Sequence, residues 1–457
     1  METLNEQQAE VLEKYINGEN VFITGPGGSG KTYLIKAIVK HAEENERKIQ
    51  VCALTGCASI LLNCKATTLH RFAGIGLANK PIEDVVSDLF IKRYKLKNWY
   101  NLKTLIIDEV SMMSLKLLLI LDIITRKIYN KPDLPFGGLQ VIFSGDFYQL
   151  PPIQSSDEEK EASQFCFEHK LWNETFPQEN QIILNAIFRQ EETEFLKVLK
   201  YVRRGKITHS TKAILENRVH TGDQLEKIRQ EKVVTIISPY KKDVDYINAK
   251  SYSELGDDVE KRTYKIKFIQ GSSSKKKQEN SINSINNDLH ELLVSSNASL
   301  KQDYEFLANN IMANKEIELK IGTHVMCIAN LALNCENQIA NGSQGIVTGF
   351  RNDLPVIQFN NIKEPICMEY YVWNSETNKK VAVAQIPLIY AWAITIHKSQ
   401  GVTLDAAIMN IGANIFEYGQ TYVALSRVKT LAGLYLSSFD YTKISANPKV
   451  KQFYGDN

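Results

Sequence analysis

An α/β fold with parallel sheets is predicted by three apolar runs in this sequence, each ending in residues suited to phosphate or metal chemistry. NVFIT (20–24) leads into GPGGSGKT and then into KTYLIKAIVKHAEE, whose apolar spacing is helical. LKTLIID ends at Asp108, and LQVIFSGD (139–146) is the third run. A strand, a glycine-rich loop and a helix in this order are typical of sheets that bind ligands at the carboxyl ends of their strands.

The loop at residues 25–32 has the spacing G-x-x-x-x-G-K-[ST], which predicts a nucleoside-triphosphate site. Glycines permit backbone angles that let successive N–H groups face phosphate oxygens. We expect Lys31 to neutralise the β- and γ-phosphates and the Thr32 hydroxyl to coordinate Mg²⁺. The residues of this loop expected to bind the nucleotide are Gly25, Pro26, Gly27, Gly28, Ser29, Gly30, Lys31 and Thr32.

Carboxylates and an amide follow the other two runs. Asp108 is expected to hold Mg²⁺, and Glu109 to position and polarise the attacking water. The third run leads into GDFYQLPP (145–152), where a proline-terminated turn would fix Gln149 for sensing the γ-phosphate. A purely structural turn glutamine is the alternative for Gln149. Together these residues predict hydrolysis of a nucleoside triphosphate.

Composition limits the class of protein. A chain of 457 residues, 44% of them hydrophobic, can bury two or three cores. Its net charge of +2 means that nucleic acid would have to bind in local basic grooves. Seven scattered cysteines without a C-x-x-C pair indicate free thiols and a reducing, intracellular compartment. No apolar run reaches membrane-spanning length, so no membrane partner is expected.

Several motifs in one order resemble the petite-integration-frequency (PIF) DNA helicases of helicase superfamily 1B. They are TGPGGSGKT, ALTGCAS, TTLHRFAGIG, IIDEVSMM, PFGGLQVIFSGDFYQLPP, FRQ, HKSQGVTLD and YVALSRVKTLAGLYL. The resemblance covers nearly the whole chain. It implies an α/β architecture of two RecA-like P-loop domains with parallel sheets, ATP between them, and an inserted small β-barrel of the SH3 type.

The expected domain boundaries follow the motifs and the change in composition. The first RecA-like domain is expected at 1–175 with a small excursion at about 62–100, and the second at 176–250 and 385–457. The run QIILNAIFRQ is assigned to the second domain. The insertion at 251–384 is expected to hold a flexible polar segment, 271–288, and the barrel, with its NG turn at Asn341 and Gly342.

The resemblance also implies roles for single residues. Arg189 and Arg427 match two arginines that reach the γ-phosphate from the second domain, and Gln8 matches an adenine-reading glutamine, with Gln7 leaving the register open. Gly401 is expected at the nucleotide. The residues expected to contact DNA are Thr55, His70 and Phe72 in the first domain and Pro239, Tyr240, His397, Lys398 and Ser399 in the second. Packed core positions are the alternative for the two histidines.

Two basic stretches are interpreted as structural. IKRYKLKNWYNLK (91–103) mixes cations and aromatics like a platform for single strands, but it leads directly into the strand of Asp108. We therefore expect Trp99 to pack beneath the sheet. YVRRGK (201–206) is expected to be a solvated helix end.

The function implied is an ATP-dependent DNA helicase that moves 5′ to 3′ on single-stranded DNA. It would use ATP and Mg²⁺ and act as a monomer at single-strand/duplex junctions. Its expected setting is DNA replication, repair or recombination. Two alternatives remain: an RNA helicase, and an ATP-gated DNA-remodelling subunit that does not unwind.

Overall fold

The computed structural model divides the chain into two compact units. The structure describes residues 4–55, 58–59, 62, 64–76, 78, 80–152, 163–270, 298–329, 331–332, 338–339, 341–360, 362–375 and 381–456. The expected polar segment 271–288 lies outside these residues. The first unit comprises residues 1–206, 417–423 and 444–457, and the second comprises 207–416 and 424–443.

The strands are short, and those of the nucleotide-binding motifs are buried from end to end. Their bounds are β1 Val21–Thr24, β2 Ile49–Ala53, β3 Thr67–Thr68, β4 Thr104–Asp108, β5 Gln140–Gly145, β6 Gln181–Ile183, β7 Thr235–Ser238, β8 Lys261–Lys265, β9 Lys267–Gln270, β10 Glu316–Lys320, β11 His324–Cys327, β12 Leu331–Ala332, β13 Gln338–Ile339, β14 Gln344–Arg351, β15 Leu354–Phe359, β16 Ile366–Cys367, β17 Tyr371–Asn374, β18 Val381–Gln385, β19 Leu388–Tyr390, β20 Ala393–Thr395, β21 Ala407–Ile411 and β22 Leu434–Phe439.

The helices alternate with these strands through most of the first unit. Their bounds are α1 Glu6–Ile16, α2 Lys31–Glu44, α3 Leu69–Ala73, α4 Ile82–Ile91, α5 Leu115–Tyr129, α6 Lys170–Thr175, α7 Thr193–Arg203, α8 His209–Glu216, α9 Gly222–Glu231, α10 Lys241–Ser253, α11 Ala298–Asn310, α12 Ile396–Ser399, α13 Gln420–Leu425 and α14 Pro448–Phe453.

The first unit is built on one parallel sheet with the strand order β3-β2-β4-β5-β1-β6. Every residue of β1, β4 and β5 is buried, as expected for parallel strands covered on both faces. Val21 and Ile23 face a core shared with α1 and α2, whereas Phe22 faces one shared with α5 and α6. This alternation within four residues is the two-residue period of a strand.

Two devices fix the helices that flank this sheet. The Asn5 side chain accepts a hydrogen bond from the Gln8 N–H, and the Gln8 side chain accepts one from the Asn5 N–H, which forms a capping box at α1. Apolar residues of α2, including Leu34 and Ile38, are buried at helical spacing.

The second unit contains a parallel sheet of its own, with the strand order β20-β7-β21-β22. It also contains an antiparallel sheet in the order β16-β15-β14-β11-β19. Asn341 and Gly342 form the predicted turn, and Gly342 takes a φ of +98°. The α/β class with parallel sheets is confirmed, while the SH3-like character of the antiparallel part stays a prediction.

The units differ from the expected domains at three places. The strand β6, assigned from sequence to the second domain, pairs in parallel with β1, so residues 176–206 fold with the first sheet. Residues 417–423 and the last segment, 444–457, also belong to the first unit. The sequence expectation overlooked this pairing because a three-residue strand carries too little pattern to indicate its partner.

The basic stretches have different outcomes. Trp99 is fully buried, and its ring centroid lies 4.6 Å from that of Phe72. The structural interpretation of 91–103 is therefore confirmed for Trp99. The interpretation of 201–206 as a solvated helix end is wrong for Arg203. Its guanidinium binds both carboxylate oxygens of the fully buried Asp146, at 2.7 and 2.9 Å. A partner 57 residues away in sequence left no local signal.

Two further expectations concern cysteines and membranes. Five cysteines within the described ranges are free thiols: Cys52, Cys64, Cys166, Cys327 and Cys367. Among the helices that the structure describes, none is both long enough and apolar enough to cross a membrane.

Candidate functional site

The predicted catalytic loops all emerge at one edge of the first sheet. The phosphate loop follows β1, Glu109 follows β4, and the loop that carries Gln149 follows β5. These strands are neighbours in the order β4-β5-β1, and all are parallel, so their carboxyl ends meet. Thr24, the last residue of β1, lies opposite Gly145, the last residue of β5. Ligands bind at this edge in open parallel sheets.

The phosphate loop takes left-handed backbone angles at Gly28 and Gly30, with φ of +83° and +85°. A Cβ atom at Gly28 would lie 2.6 Å from the Cβ of Arg189, and one at Gly30 would lie 2.7 Å from Nε2 of Gln8. The positive φ therefore favours glycine at both positions, and at Gly28 the Cβ of Arg189 also leaves no space for a side chain. Pro26 and Gly27 form the turn before the buried Ser29, and the Gly27 N–H donates to the Tyr422 hydroxyl at 2.9 Å.

Lys31 lies at the start of α2 with its ammonium turned back into the loop. Nζ donates to the carbonyl oxygens of Gly25 and Pro26, at 2.7 and 3.0 Å. Burial lowers the pKa of Lys31, while the charges of Asp146, Glu109 and Asp108 act to raise it. The Lys31 ammonium therefore lies near three carboxylates. The charges of this site suit a polyphosphate that binds together with a divalent cation.

Asp108 is buried at the end of β4, and its Oδ1 accepts a hydrogen bond from Ser144 Oγ at 2.7 Å. Burial raises the pKa of Asp108, and the bond from Ser144 acts against that shift. Glu109 follows in the left-handed region with φ of +58°, which turns the chain sharply after the strand. Adjacent carboxyl groups thus have different environments, one enclosed and one partly exposed.

The loop after β5 is held by its own backbone and by Arg203. The Gln149 N–H donates to the Asp146 carbonyl at 2.8 Å, and Gln149 is buried. Gly419 packs so closely on this loop that a Cβ there would lie 2.5 Å from the Gln149 carbonyl oxygen. The position of Gln149 is therefore fixed from two sides.

Arg189 lies beside the phosphate loop within the first unit, not in the second domain where the sequence expectation assigned it. The reason is the pairing of β6 with β1, which brings the residues after β6 to the same edge. Phe188 N–H donates to the Gly28 carbonyl at 2.9 Å. Burial lowers the pKa of Arg189, while electrostatic interactions with Tyr422 and Glu109 oppose that shift.

Two residues border Gly30 and form one side of the candidate site. The Gln8 side chain is buried there, and the Phe188 ring is 63% exposed. A Cβ atom added to Gly30 would lie 3.3 Å from this ring. Gln7 instead accepts a hydrogen bond from the Asn185 N–H at 2.9 Å. Of the two adjacent glutamines, Gln8 is therefore the one against the phosphate loop. Phe188 was not singled out from sequence, although its place in FRQ was a usable signal.

Arg427 and Gly401 belong to the second unit. The Arg427 guanidinium is buried, and it donates to the Ser399 carbonyl at 3.3 Å and to Ser426 Oγ at 2.6 Å. Gly401 has φ of +80° in the turn after α12. The roles of both residues toward ATP stay predictions.

The expected DNA contacts in the first unit are of two kinds. Thr55 caps the next turn through Oγ1, which accepts from the Ala58 N–H at 3.2 Å. His70 is half-buried, and burial lowers its pKa, so its imidazole favours the neutral form. Phe72 is 2% exposed in the core against Trp99. As a correction to the expectation, Phe72 packs the core and offers no ring face to a base.

In the second unit, one of the residues expected to contact DNA, Tyr240, packs against another aromatic ring. The Tyr240 ring stacks on Phe416 with centroids 5.3 Å apart, and Phe416 is 59% exposed. Pro239 is buried just before them. Phe416 was missed from sequence, because 175 residues separate it from Tyr240.

The α12 turn presents two exposed basic residues beside a buried serine. His397 and Lys398 are exposed, and Ser399 is fully buried with its hydroxyl bonded to the Ile396 carbonyl at 2.7 Å. Thr395 caps the turn by accepting from the Lys398 N–H at 3.1 Å. The base of the turn is therefore buried and hydrogen-bonded, and its surface carries the Lys398 ammonium.

The donors available for a divalent cation are oxygens. Thr32 is exposed at the first turn of α2, and Asp108 ends β4 at the same edge of the sheet. Hydroxyl and carboxylate oxygens suit Mg²⁺, which keeps several waters and few protein ligands. Thr32 and Asp108 therefore fit the ion, which would supply charge neutralisation at the phosphates when bound.

Sequence comparison relates the chain to one set of proteins. The family model described as PIF1-like helicase matches residues 3–213, and that described as DNA helicase Pif1, 2B domain matches residues 304–350. ATP-dependent DNA helicase PIF1 of Danio rerio is 32% identical over 456 residues, covering 99% of this chain and 63% of the relative. The chain thus spans less than two thirds of that relative.

Solved structures give the same relation. Pif1 of Bacteroides sp in complex with ADP-AlF4 is similar with a TM-score of 0.76 and 28% identity, covering 100% of this chain and 97% of that chain. Bacteroides Pif1 in complex with ADP-AlF3 and ssDNA is similar with a TM-score of 0.60 and 28% identity, at the same coverage.

The fold and the loops at its edge define a P-loop protein with a RecA-like helicase core. With the sequence and structural matches together, the chain belongs to the PIF1-like helicase family.

Proposed function

We propose that this protein is an ATP-dependent DNA helicase that translocates 5′ to 3′ on single-stranded DNA and opens duplexes. The observation that carries the proposal is the meeting of three loops at one sheet edge, after β1, β5 and β4. Membership of the PIF1-like helicase family supports the choice of DNA helicase over other ATPases.

The ATP site would work through charge and position. Lys31 would move from its loop carbonyls to the β- and γ-phosphates, and Thr32 and Asp108 would hold Mg²⁺. Glu109 would orient the attacking water. Gln149 would contact the γ-phosphate from a loop fixed on two sides.

Arginines would supply further positive charge. Arg189 is near the phosphate loop in the first unit, and Arg427 is proposed to act from the second unit. Groups of this kind contribute roughly 10³–10⁵ in turnover. The adenine would lie between Gln8, which offers amide hydrogen bonds, and the exposed ring of Phe188.

The DNA strand would bind through surface groups of both units. Tyr240 and Phe416 offer ring faces to bases, and His397 and Lys398 offer donors to phosphates. Bacteroides Pif1, which is similar to this chain, has been solved with ssDNA. We also propose a role in DNA replication, repair or recombination and action as a monomer.

The nucleotide part is tested with Lys31→Ala. Because Lys31 is the cation of the phosphate loop, ATP hydrolysis stimulated by single-stranded DNA should fall by at least two orders of magnitude. Lys36→Ala, on an exposed position of the same helix, is the matched control. Substantial hydrolysis by Lys31→Ala would reject the assignment of the site.

The motor part is tested on duplexes with either a 5′ or a 3′ single-stranded tail, in DNA and in RNA. Opening of only the 5′-tailed DNA duplex is the expected result. Opening of the 3′-tailed duplex alone would reject the direction, and opening of RNA alone would favour an RNA helicase. DNA-stimulated hydrolysis without strand separation would favour a remodelling subunit.

A further inference from the structure

The last segment of the chain is part of the unit that carries the phosphate loop. Ala446 and Val450 are buried in the same core as Phe22 of β1 and Phe143 of β5. The Phe453 ring stacks on Phe167 with centroids 4.4 Å apart. The segment is thus docked on the sheet that holds the candidate ATP site, although it follows the entire second unit in sequence.

One hydroxyl of this segment joins two of the catalytic loops. Tyr454 OH lies 2.6 Å from Thr24 Oγ1, and the Phe147 N–H donates to the same hydroxyl at 3.3 Å. Thr24 directly precedes the phosphate loop, and Phe147 is two residues before Gln149. Tyr454 therefore links the start of one loop to the backbone of the other.

The ring of Tyr454 continues the link. It stacks on Tyr148 with centroids 5.0 Å apart and planes inclined by 15°. The Arg203 guanidinium lies over both rings, 4.6 Å from Tyr148 and 5.6 Å from Tyr454, while it binds Asp146. Tyr148 OH donates to Asp456 Oδ2 at 2.5 Å. Three consecutive residues of the loop, 146–148, are thus held by the segment or by a residue touching it.

We propose that Tyr454 is a positioning residue of the ATP site, through which the C-terminal segment sets the spacing between the phosphate loop and the Gln149 loop. The inference rests on the proposed function, since it takes ATP as the ligand. A nucleotide that contacts both loops needs them in one arrangement, and a preformed arrangement removes an ordering cost from binding. Because coupling is reciprocal, bound nucleotide should also tighten the docking of the segment.

Tyr454→Phe tests this, because it removes the hydroxyl and keeps the ring. A lost hydrogen bond predicts a 3- to 10-fold lower kcat/KM for ATP, carried mainly by a higher KM. Thr24→Val, which removes the partner hydroxyl, should reproduce the loss, and Thr24→Ser, which keeps a hydroxyl, should retain the wild-type kcat/KM. The double variant Thr24→Val with Tyr454→Phe should be no worse than either alone.

Lys449→Met is the matched control. It breaks an ion pair between the same segment and Glu168, at an exposed position, and should leave the KM for ATP unchanged. A lower melting temperature of Tyr454→Phe with an unchanged KM, measured well below that temperature, would mean that Tyr454 serves stability only. That outcome overturns the proposal. The proposal is also overturned if the fold-losses in kcat/KM of Thr24→Val and Tyr454→Phe multiply in the double variant, because the two residues would then act independently.

Hydrogen exchange gives a readout that needs no hydrolysis. Amides of residues 449–456 should exchange more slowly when ADP and Mg²⁺ are added to the wild-type chain, and the slowing should be lost in Tyr454→Phe. Exchange that ignores bound ADP would overturn the coupling. Absence of ATP hydrolysis by the wild-type chain would reject the proposed function, whereas normal hydrolysis with unaltered Tyr454→Phe kinetics rejects the positioning role alone.

Discussion

Replacing Arg203 with methionine should lower the stability of the first unit by about 3–5 kcal/mol, because the change leaves a buried carboxylate without its cation. The Asp146 side chain is 0% exposed and that of Arg203 is 13% exposed, so water cannot solvate the charge that remains. Burial acts to lower the pKa of Arg203, but the charge and hydrogen bonds of Asp146 outweigh it and raise that pKa.

The size of the effect follows from the geometry. The two hydrogen bonds to Asp146, at 2.7 and 2.9 Å, are both charge-assisted, and the guanidinium also covers the Tyr148 ring. In a unit of this size, 3–5 kcal/mol corresponds to a fall in melting temperature of roughly 6–20 °C. Arg203→Lys keeps the charge but loses the two-pronged contact, so its loss should be smaller.

Urea denaturation with far-UV circular dichroism measures the change. Lys80→Met is the control, since it removes an ion pair with Asp88 whose side chains are both more than half exposed, and should leave the free energy of unfolding nearly unchanged. Removing both charges with Asp146→Asn and Arg203→Met should cost less than Arg203→Met alone. A loss below about 1 kcal/mol for Arg203→Met, or a larger loss for the double variant, would refute the reasoning.

The remaining predictions concern the second unit. Burial, assisted by the charge of Arg229, lowers the pKa of His324 to about 4. The unfolded chain binds this proton near pH 6.5 and the folded chain only near pH 4, so stability should fall by about 2 kcal/mol from pH 7 to pH 5. Urea titrations of His324→Gln should lack that part of the dependence, and an unchanged dependence would count against it. Phe416→Ala should weaken binding of fluorescent single-stranded DNA roughly 5- to 150-fold through lost stacking with a base. Tyr246→Ala, which removes another exposed ring, should not, and equal affinities of the Phe416 and Tyr246 variants would contradict the assignment.

The fold class followed from the sequence because its signals are local. An apolar run, a glycine at a fixed offset and the lysine that begins a helix lie within a dozen residues, and this pattern located Lys31. Asp108 and Gln149 were located because polar residues follow two further apolar runs. The parallel sheet confirmed that these loops share an edge. The family resemblance also singled out Gln8, although only its burial against Gly30 separated it from Gln7.

Contacts between distant parts of the chain could not be predicted in the same way. Arg189 lies in the first unit because the three-residue strand β6, which precedes it, pairs with β1. The boundary expected from the sequence had placed β6 and Arg189 in the second domain. Phe72 matched a motif for DNA contact, yet its ring packs in the core against Trp99. This packing is favourable because it removes apolar surface from water.

The sequence by itself determined the chemistry of this protein: a phosphate loop, a pair of acidic residues and a polar loop, each coded by neighbours along the chain. Tertiary structure alone decided which residues hold those groups in place. Arg203 forms an ion pair with Asp146, 57 residues away in sequence, and Tyr454 forms a hydrogen bond with Thr24, 430 residues away. Both contacts exist only once the sheet has formed. Such partners carry no pattern of their own, because their geometry is set by packing and not by spacing in the chain.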